Sequence, residues 1–242
     1  MNSSVIRNIL VLLLTVTIIY FWFSDKPNQI ETPGLAYNLS YIEKTLNSDQ
    51  QYRELPMLII LHGAGDTSEN FLSWYDDFKN PVRMIAFQGA FDFGRGYTWS
   101  GAKRTEDLVQ VAKSIHASIK ELTDKYPTKG KPMVFGFSRG AVLAYYLSVS
   151  SDQYSYVIPV AGYLDPQLIP EESDPYIEYP EIIAFHGTKD QLIPISKDRQ
   201  SVRQLQDLNY KVALNEYSSR HLPDEIMQRA IKKQISILLE KL

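Results

Sequence analysis

The chain has 242 residues, with 25 lysines and arginines against 28 aspartates and glutamates, so its formal net charge is −3 at pH 7. Hydrophobic residues make up 44% of the chain and charged residues 22%, which is typical of a globular protein and excludes a disordered or collagen-like chain. A net charge of −3 does not indicate a basic surface that would bind nucleic acid. The absence of cysteine excludes disulfide scaffolds, thiolate metal sites and cysteine nucleophiles.

The first predicted element is a hydrophobic segment at the N-terminus. A polar start with Arg7 precedes a predominantly apolar run over residues 9–23. As a helix this run would span roughly 22 Å, a length that fits a signal peptide or a short anchor. No small-x-small cleavage site follows, and the aromatic residues at its end suit a membrane interface. Residues 1–24 are therefore expected to form a hydrophobic helix, either a signal anchor or a cleaved signal peptide. The rest of the chain would then lie outside the cytoplasm, as a periplasmic or extracellular domain, or be secreted.

The remaining residues alternate short apolar runs with helical patterns. Residues 25–54 are predicted to be a linker with an antiparallel edge strand at residues 36–42. Later apolar runs predict strands, most of them covered on both faces, at residues 57–61, 84–87, 133–137, 156–160, 182–185 and 212–217. Apolar periodicity predicts helices over residues 105–126, after Ser138, and from Pro223 onward. Residues 55–242 are thus predicted to be one α/β domain, with a mostly parallel central sheet and helices on both faces.

The pentapeptide at residues 136–140, Gly-Phe-Ser-Arg-Gly, lies directly after a predicted strand and before a predicted helix. In this setting small residues permit a sharp turn that lifts the Ser138 hydroxyl above the sheet at a helix N-terminus. The alternative is an ordinary glycine-containing turn. The setting favours Ser138 as a nucleophile, which needs a base to take its proton.

Four histidines are candidates for that base. His221 lies in a polar stretch between the last predicted strand and the last predicted helix, where a loop could bring it to Ser138. His116 falls within a predicted helix, and His62 and His186 each end a strand. His221 is therefore the predicted base.

The base needs a carboxylate to hold its tautomer and stabilise the imidazolium. Asp190 follows a predicted strand and lies between Ser138 and His221 in the chain, in the order serine, aspartate, histidine. Asp165, after the preceding strand, is the alternative. We prefer Asp190 because its loop also carries the turn residues Gly187 and Pro194.

Acyl transfer also needs donors directed at the developing oxyanion. Residues 61–65, Leu-His-Gly-Ala-Gly, follow a predicted strand, and their small side chains allow backbone N–H groups to face a substrate. The backbone N–H groups of Ala64 and Arg139 are the predicted oxyanion-hole donors. The segment does not fit a phosphate-binding loop, because it has neither Gly-Lys-Ser/Thr nor G-x-G-x-x-G.

Together these motifs resemble the phospholipase/carboxylesterase family of α/β-hydrolases, which includes acyl-protein thioesterases and small bacterial carboxylesterases. The resemblance rests on residues 61–67, 136–140 and 186–190, on Pro194 and on the loop with His221, and it covers most of residues 55–242. It implies the α/β-hydrolase fold and the absence of a cofactor or metal. It also implies a triad of Ser138, Asp190 and His221, with an oxyanion hole at Ala64 and Arg139.

Other positions bear on the substrate. Residues 96–99, Gly-Tyr-Thr-Trp, resemble the family's aromatic segment beside the acyl site and imply that Trp99 contacts the substrate. Ala64, Arg139 and Arg220 stand where the family usually has leucine, glutamine and glycine. The two arginines could pair with an anionic acyl or alcohol portion of a substrate. Alternatively, both point to solvent or pair with nearby acids.

The first functional hypothesis is a serine hydrolase that cleaves carboxylic esters or thioesters through an acyl-enzyme. A serine peptidase and a polyester or feruloyl-type esterase are the nearest alternatives. A membrane-tethered, non-catalytic α/β-hydrolase-like binding protein is an alternative of another class. The expected partners are a small-molecule or lipid-like ester and, through residues 1–24, a membrane.

Overall fold

An eight-stranded sheet forms the centre of the computed structural model, which describes residues 28–48, 53–75 and 77–242. Its strands are β1 (Asn28–Ile30), β2 (Leu39–Leu46), β3 (Met57–Leu61), β4 (Val82–Phe87), β7 (Met133–Phe137), β8 (Tyr156–Val160), β9 (Glu181–Gly187) and β10 (Val212–Tyr217). Their order is β1-β2-β4-β3-β7-β8-β9-β10, and β5 (Phe91–Phe93) and β6 (Gly96–Thr98) form a separate antiparallel hairpin. β1 pairs antiparallel with β2, and β2 with β4, while all pairings from β4 to β10 are parallel.

Helices cover both faces of this sheet. They are α1 (Ser68–Ser73), α2 (Arg104–Lys125), α3 (Arg139–Ser150), α4 (Ile195–Asp207) and α5 (Glu225–Lys241). Apolar side chains of α2 and α3 join one buried cluster against the sheet, and those of α1 and α5 join another. β3 lies between these clusters, and all of its residues are buried. The predicted α/β architecture, with a mostly parallel sheet and helices on both faces, is confirmed.

The strands predicted in the parallel part of the sheet are confirmed. The three-residue strands β1, β5 and β6 were not predicted. The strand predicted at residues 36–42 is β2, but it is not an edge strand, because β1 pairs with its outer side. Residues 28–46 therefore contribute two strands to the main sheet. α4 was not predicted, since its buried positions include the polar Asp198 and Ser201 beside Val202 and Leu205.

The predicted hydrophobic helix at residues 1–24 lies outside the described residues. Within the described ranges, no helix is both long enough and apolar enough to cross a membrane.

The loops that matter for chemistry all leave the carboxyl ends of parallel strands. β3, β7, β8, β9 and β10 are followed by the loops that contain the predicted site residues. In open α/β sheets ligands bind at this edge, because the loops converge there. The topology therefore gathers segments that are far apart in sequence.

His116 links α2 to the end of α3 and to the segment before β8. Its Nδ1 lies 3.0 Å from the Tyr154 hydroxyl, and its Nε2 lies 3.0 Å from the Ser150 hydroxyl. Burial lowers the pKa of His116 to about 4. The unfolded chain, with an ordinary histidine pKa of about 6.5, thus takes up this proton first as the pH falls.

We predict that this histidine makes the fold acid-sensitive. Its contribution to stability is present above pH ~6.5 and is lost as the pH falls towards ~4. Between pH 7 and pH 5 the wild type is expected to lose about 2 kcal/mol more unfolding free energy than His116→Gln. Urea unfolding of both proteins at the two pH values measures the difference. An equal loss in both would contradict the prediction.

Candidate active site

Ser138 occupies a sharp turn between β7 and α3. Its backbone has φ 53° and ψ −115°, a conformation that residues other than glycine rarely adopt. The neighbouring glycines are required by close approach, because a Cβ on Gly136 would overlap the Gly140 carbonyl and one on Gly140 would overlap the Leu61 carbonyl. The Ser138 N–H donates to the Val160 carbonyl at 2.9 Å, which fixes the turn against β8. The hydroxyl is thereby held at the carboxyl edge of the sheet.

Three predicted site residues meet in one hydrogen-bonded line. His221 Nε2 lies 2.9 Å from Ser138 Oγ, and His221 Nδ1 lies 2.7 Å from Asp190 Oδ2. A carboxylate only accepts, so Nδ1 carries the proton and Nε2 is free to accept the serine proton. This is the tautomer that a general base needs.

The Asp190 carboxylate is buried and held in place by the chain around it. Its Oδ1 accepts from the backbone N–H groups of Leu192 at 2.8 Å and Ile193 at 2.9 Å. Burial alone would raise the pKa of Asp190, but the hydrogen bonds from His221 and from these two N–H groups hold that pKa below its usual value. The carboxyl group therefore stays ionised beside the imidazole.

The alternative acid and base residues lie elsewhere. Asp165 accepts from Gln167 N–H at 3.0 Å and caps the short 3-10 helix Pro166–Leu168. His62 Nδ1 lies 2.7 Å from the Gly63 carbonyl, and its Nε2 accepts from Gly89 N–H at 3.0 Å. Burial lowers the pKa of His62, which agrees with a neutral imidazole that stabilises its loop through these hydrogen bonds.

The predicted oxyanion donors lie on the loop after β3, which passes close to Ser138, and on the first residue of α3. The loop with Ala64 is tied to the β5–β6 hairpin, where Gly65 N–H donates to the Tyr97 carbonyl at 2.9 Å. Arg139 begins α3, and the partial positive charge of that helix N-terminus adds to its N–H. No acceptor from another loop or strand of the described chain engages the N–H of Ala64 or of Arg139.

The predicted substrate contact of Trp99 needs correction. Trp99 is completely buried, and its Nε1 donates to the His62 carbonyl at 2.8 Å. Its ring centroid lies 4.9 Å from that of His62. Trp99 therefore supports the loop of residues 62–65 from behind and has no surface with which to contact a substrate.

Sequence reasoning missed a second buried imidazole behind Asp190. His186 Nε2 lies 2.9 Å from the Ile193 carbonyl and 3.3 Å from Asp190 Oδ2, and its Nδ1 lies 2.7 Å from Asp198 Oδ2. The hydroxyl of Tyr145, on α3, donates a hydrogen bond to Asp198 Oδ1. The only sequence signal was a histidine at the end of a strand, since α4, which carries Asp198, was not predicted.

The proton of this pair belongs on the imidazole. Burial disfavours a charged imidazole, but the hydrogen bond and charge of Asp198 outweigh it and raise the pKa of His186. Burial raises the pKa of Asp198, and the hydrogen bonds that it accepts from His186 and Tyr145 act against that rise, because accepted bonds favour an ionised carboxylate. The ion pair holds the Asp190 loop against α3 and α4.

We predict that Asp198→Asn lowers the unfolding free energy by about 3–5 kcal/mol, because it breaks a buried ion pair by removing one of its partners. Tyr145→Phe is the matched control, since it removes one hydrogen bond and keeps the ion pair. That variant should lose only about 1–2 kcal/mol. Urea unfolding at pH 7 measures both, and an Asp198→Asn protein as stable as Tyr145→Phe would contradict the assignment.

Comparisons with known proteins bear on this site. The sequence model of the phospholipase/carboxylesterase family matches residues 94–239, a range that includes Ser138, Asp190 and His221 but not the loop of residues 61–67. None of the curated proteins matches the chain in sequence.

Solved structures share the fold. A Mesorhizobium loti carboxylesterase has a TM-score of 0.67 at 13% identity, over 86% of this chain and 99% of its own. Zea mays acyl-protein thioesterase 2 has a TM-score of 0.64 at 17% identity, over 82% and 99%. A Bacillus cereus carboxylesterase has a TM-score of 0.65 at 13% identity, over 81% and 92%.

Proposed function

We propose that this chain, which belongs to the phospholipase/carboxylesterase family and is a carboxylesterase-type hydrolase, cleaves carboxylic esters or thioesters through an acyl-enzyme formed on Ser138. The observation that carries the proposal is the hydrogen-bonded line from Ser138 through His221 to Asp190. This line joins a hydroxyl, a base in the tautomer that can accept its proton, and an ionised carboxylate.

The proposed reaction has two halves. In the first, Ser138 Oγ attacks the ester carbonyl carbon while His221 Nε2 takes the hydroxyl proton, and the N–H groups of Ala64 and Arg139 stabilise the oxyanion. His221 then gives that proton to the departing alcohol or thiol, which leaves an acyl group on Ser138. In the second half, water attacks the acyl carbon while His221 Nε2 takes a proton from it. The bond between the acyl carbon and Ser138 Oγ then breaks, His221 returns the proton to Ser138 Oγ, and the carboxylic acid leaves. Asp190 stabilises the imidazolium in both halves.

The segment between β8 and β9 supports an accessible site. Among its residues the only helical element is the short 3-10 helix Pro166–Leu168. No long helix of this segment covers Ser138, and Ser138 is only half-buried, which supports access of an ester from solution to its hydroxyl.

The placement of the enzyme in the cell is also a proposal, and it rests on sequence alone. Residues 1–24 would act as a signal anchor, or as a cleaved signal peptide. The catalytic domain would then lie outside the cytoplasm. Protease treatment of intact cells tests this, because an outward domain is digested and an inward one is protected.

The test of function uses the full chain in detergent with p-nitrophenyl acetate and its thioester and anilide counterparts. The proposal expects a burst of p-nitrophenol and, after acid quench, one acetyl group on the peptide that contains Ser138. The ester and thioester should turn over faster than the anilide. Faster anilide cleavage would favour a peptidase. A folded chain that neither turns over nor becomes acylated would favour a non-catalytic binding protein.

A further inference from the structure

A polar cavity lies next to Arg139, the residue that follows Ser138. It has a volume of about 230 Å³, and its lining includes Arg104, Thr105, Arg139, Tyr163 and Asp165. Arg139 is the residue directly after Ser138, while Arg104 begins α2. The proposed hydrolysis uses the backbone N–H of Arg139 but neither guanidinium group. The steps of that reaction therefore assign no function to this cavity.

The charge of this cavity is positive. Arginine side chains are permanently cationic. Among the residues that the structure describes, no carboxylate lies within ion-pair distance of Arg104 or Arg139. Arg139 Nη2 donates to the Ser100 hydroxyl at 2.6 Å, which holds the guanidinium in place without neutralising it.

Asp165 lowers this positive charge without cancelling it. Its Oδ2 accepts from the Thr105 hydroxyl at 3.3 Å, and its Oδ1 accepts from Gln167 N–H at 3.0 Å. Both carboxylate oxygens of Asp165 thus accept hydrogen bonds from neutral groups of the chain, and neither forms an ion pair with an arginine of the cavity. Two guanidinium groups against one carboxylate leave the cavity with a net positive charge and unused N–H donors.

We propose that this cavity binds a carboxylate of the substrate, so that preferred substrates are esters or thioesters with a carboxylate a few bonds from the scissile carbonyl. This rests on the proposed hydrolase function. Guanidinium groups bind carboxylates and phosphates through paired N–H donors. A carboxylate fits better here, because its single negative charge balances the single excess positive charge of the cavity, whereas the nearly double charge of a phosphate would exceed it.

The test compares mono-p-nitrophenyl glutarate with its methyl ester, which lacks the negative charge and carries one additional methyl group. The variants are Arg104→Gln and Arg139→Gln, of which the second keeps the backbone N–H. The matched control is Lys103→Gln, which removes a cation one residue from Arg104. The Lys103 side chain is 76% exposed, contacts Glu106, and does not line the cavity.

The wild type should prefer the charged ester by about tenfold or more in kcat/KM. Arg104→Gln and Arg139→Gln should each lower that ratio about tenfold, and Lys103→Gln should leave it near the wild-type value. Two outcomes overturn the inference while the hydrolase function stands: a wild-type ratio near one, or an equal fall of the ratio in Lys103→Gln. If a folded wild type hydrolyses neither ester, the hydrolase function itself fails, and this inference fails with it.

Discussion

Asp190→Asn is expected to lower kcat for a neutral ester by about 10,000-fold while the fold is retained. The carboxylate now accepts from His221 Nδ1 at 2.7 Å, which keeps Nε2 free to take the Ser138 proton. An asparagine amide can present its NH2 group to Nδ1 instead, and the imidazole then carries its proton on Nε2, facing the serine. The substitution also removes the charge that stabilises the imidazolium.

Steady-state kinetics with p-nitrophenyl acetate and urea unfolding measure this effect. Asp124→Asn is a suitable control, because that carboxylate lies on the surface of α2, where it pairs with Lys120 at 2.7 Å. Its kcat should stay within about twofold of the wild type. If Asp165→Asn abolished turnover and Asp190→Asn did not, the assignment of the acid would be wrong.

Ser138→Ala is expected to have the largest effect, a loss of about a million-fold in kcat. Activity above the uncatalysed rate would come only from substrate binding and the oxyanion donors. Alanine keeps the unfavourable φ of 53° at this position, so stability should change little. Intact fold, shown by an unchanged urea midpoint, makes the kinetic loss interpretable.

Ser138→Gly separates strain from catalysis. Glycine adopts positive φ without steric cost, and Ser138→Gly should therefore be as inactive as Ser138→Ala but more stable by about 1 kcal/mol. An equal urea midpoint for the two variants would show that the turn stores no strain at this residue.

The central strands of the sheet were predictable from sequence because they are buried on both faces. Residues 57–61, 133–137, 156–160 and 212–217 were predicted with the bounds that β3, β7, β8 and β10 have in the structure. The near-continuous apolar content of β3, β7 and β8 leaves little choice of element, whereas β10 is only partly buried. The meeting of Ser138, Asp190 and His221 followed from the topology, since each lies just beyond a parallel strand or between the last strand and the last helix.

Other features needed the three-dimensional structure. The pairing of His186 with Asp198 joins a strand end to α4, a helix whose few buried apolar positions gave no clear periodicity. Trp99 directly follows the three-residue strand β6, which is too short for its alternation to show which side the indole faces. The cavity between Arg104 and Arg139 depends on how closely the first turns of α2 and α3 approach one another.

The central claim is that Ser138 is an activated nucleophile. Labelling of the full chain with a fluorophosphonate probe, followed by peptide mapping, tests it most directly, because such probes react with an activated serine rather than an ordinary hydroxyl. We expect one label, on the peptide with Ser138 in the wild type, and none on a folded Ser138→Ala protein. A folded wild type that is not labelled, or equal labelling of Ser138→Ala, would contradict the claim.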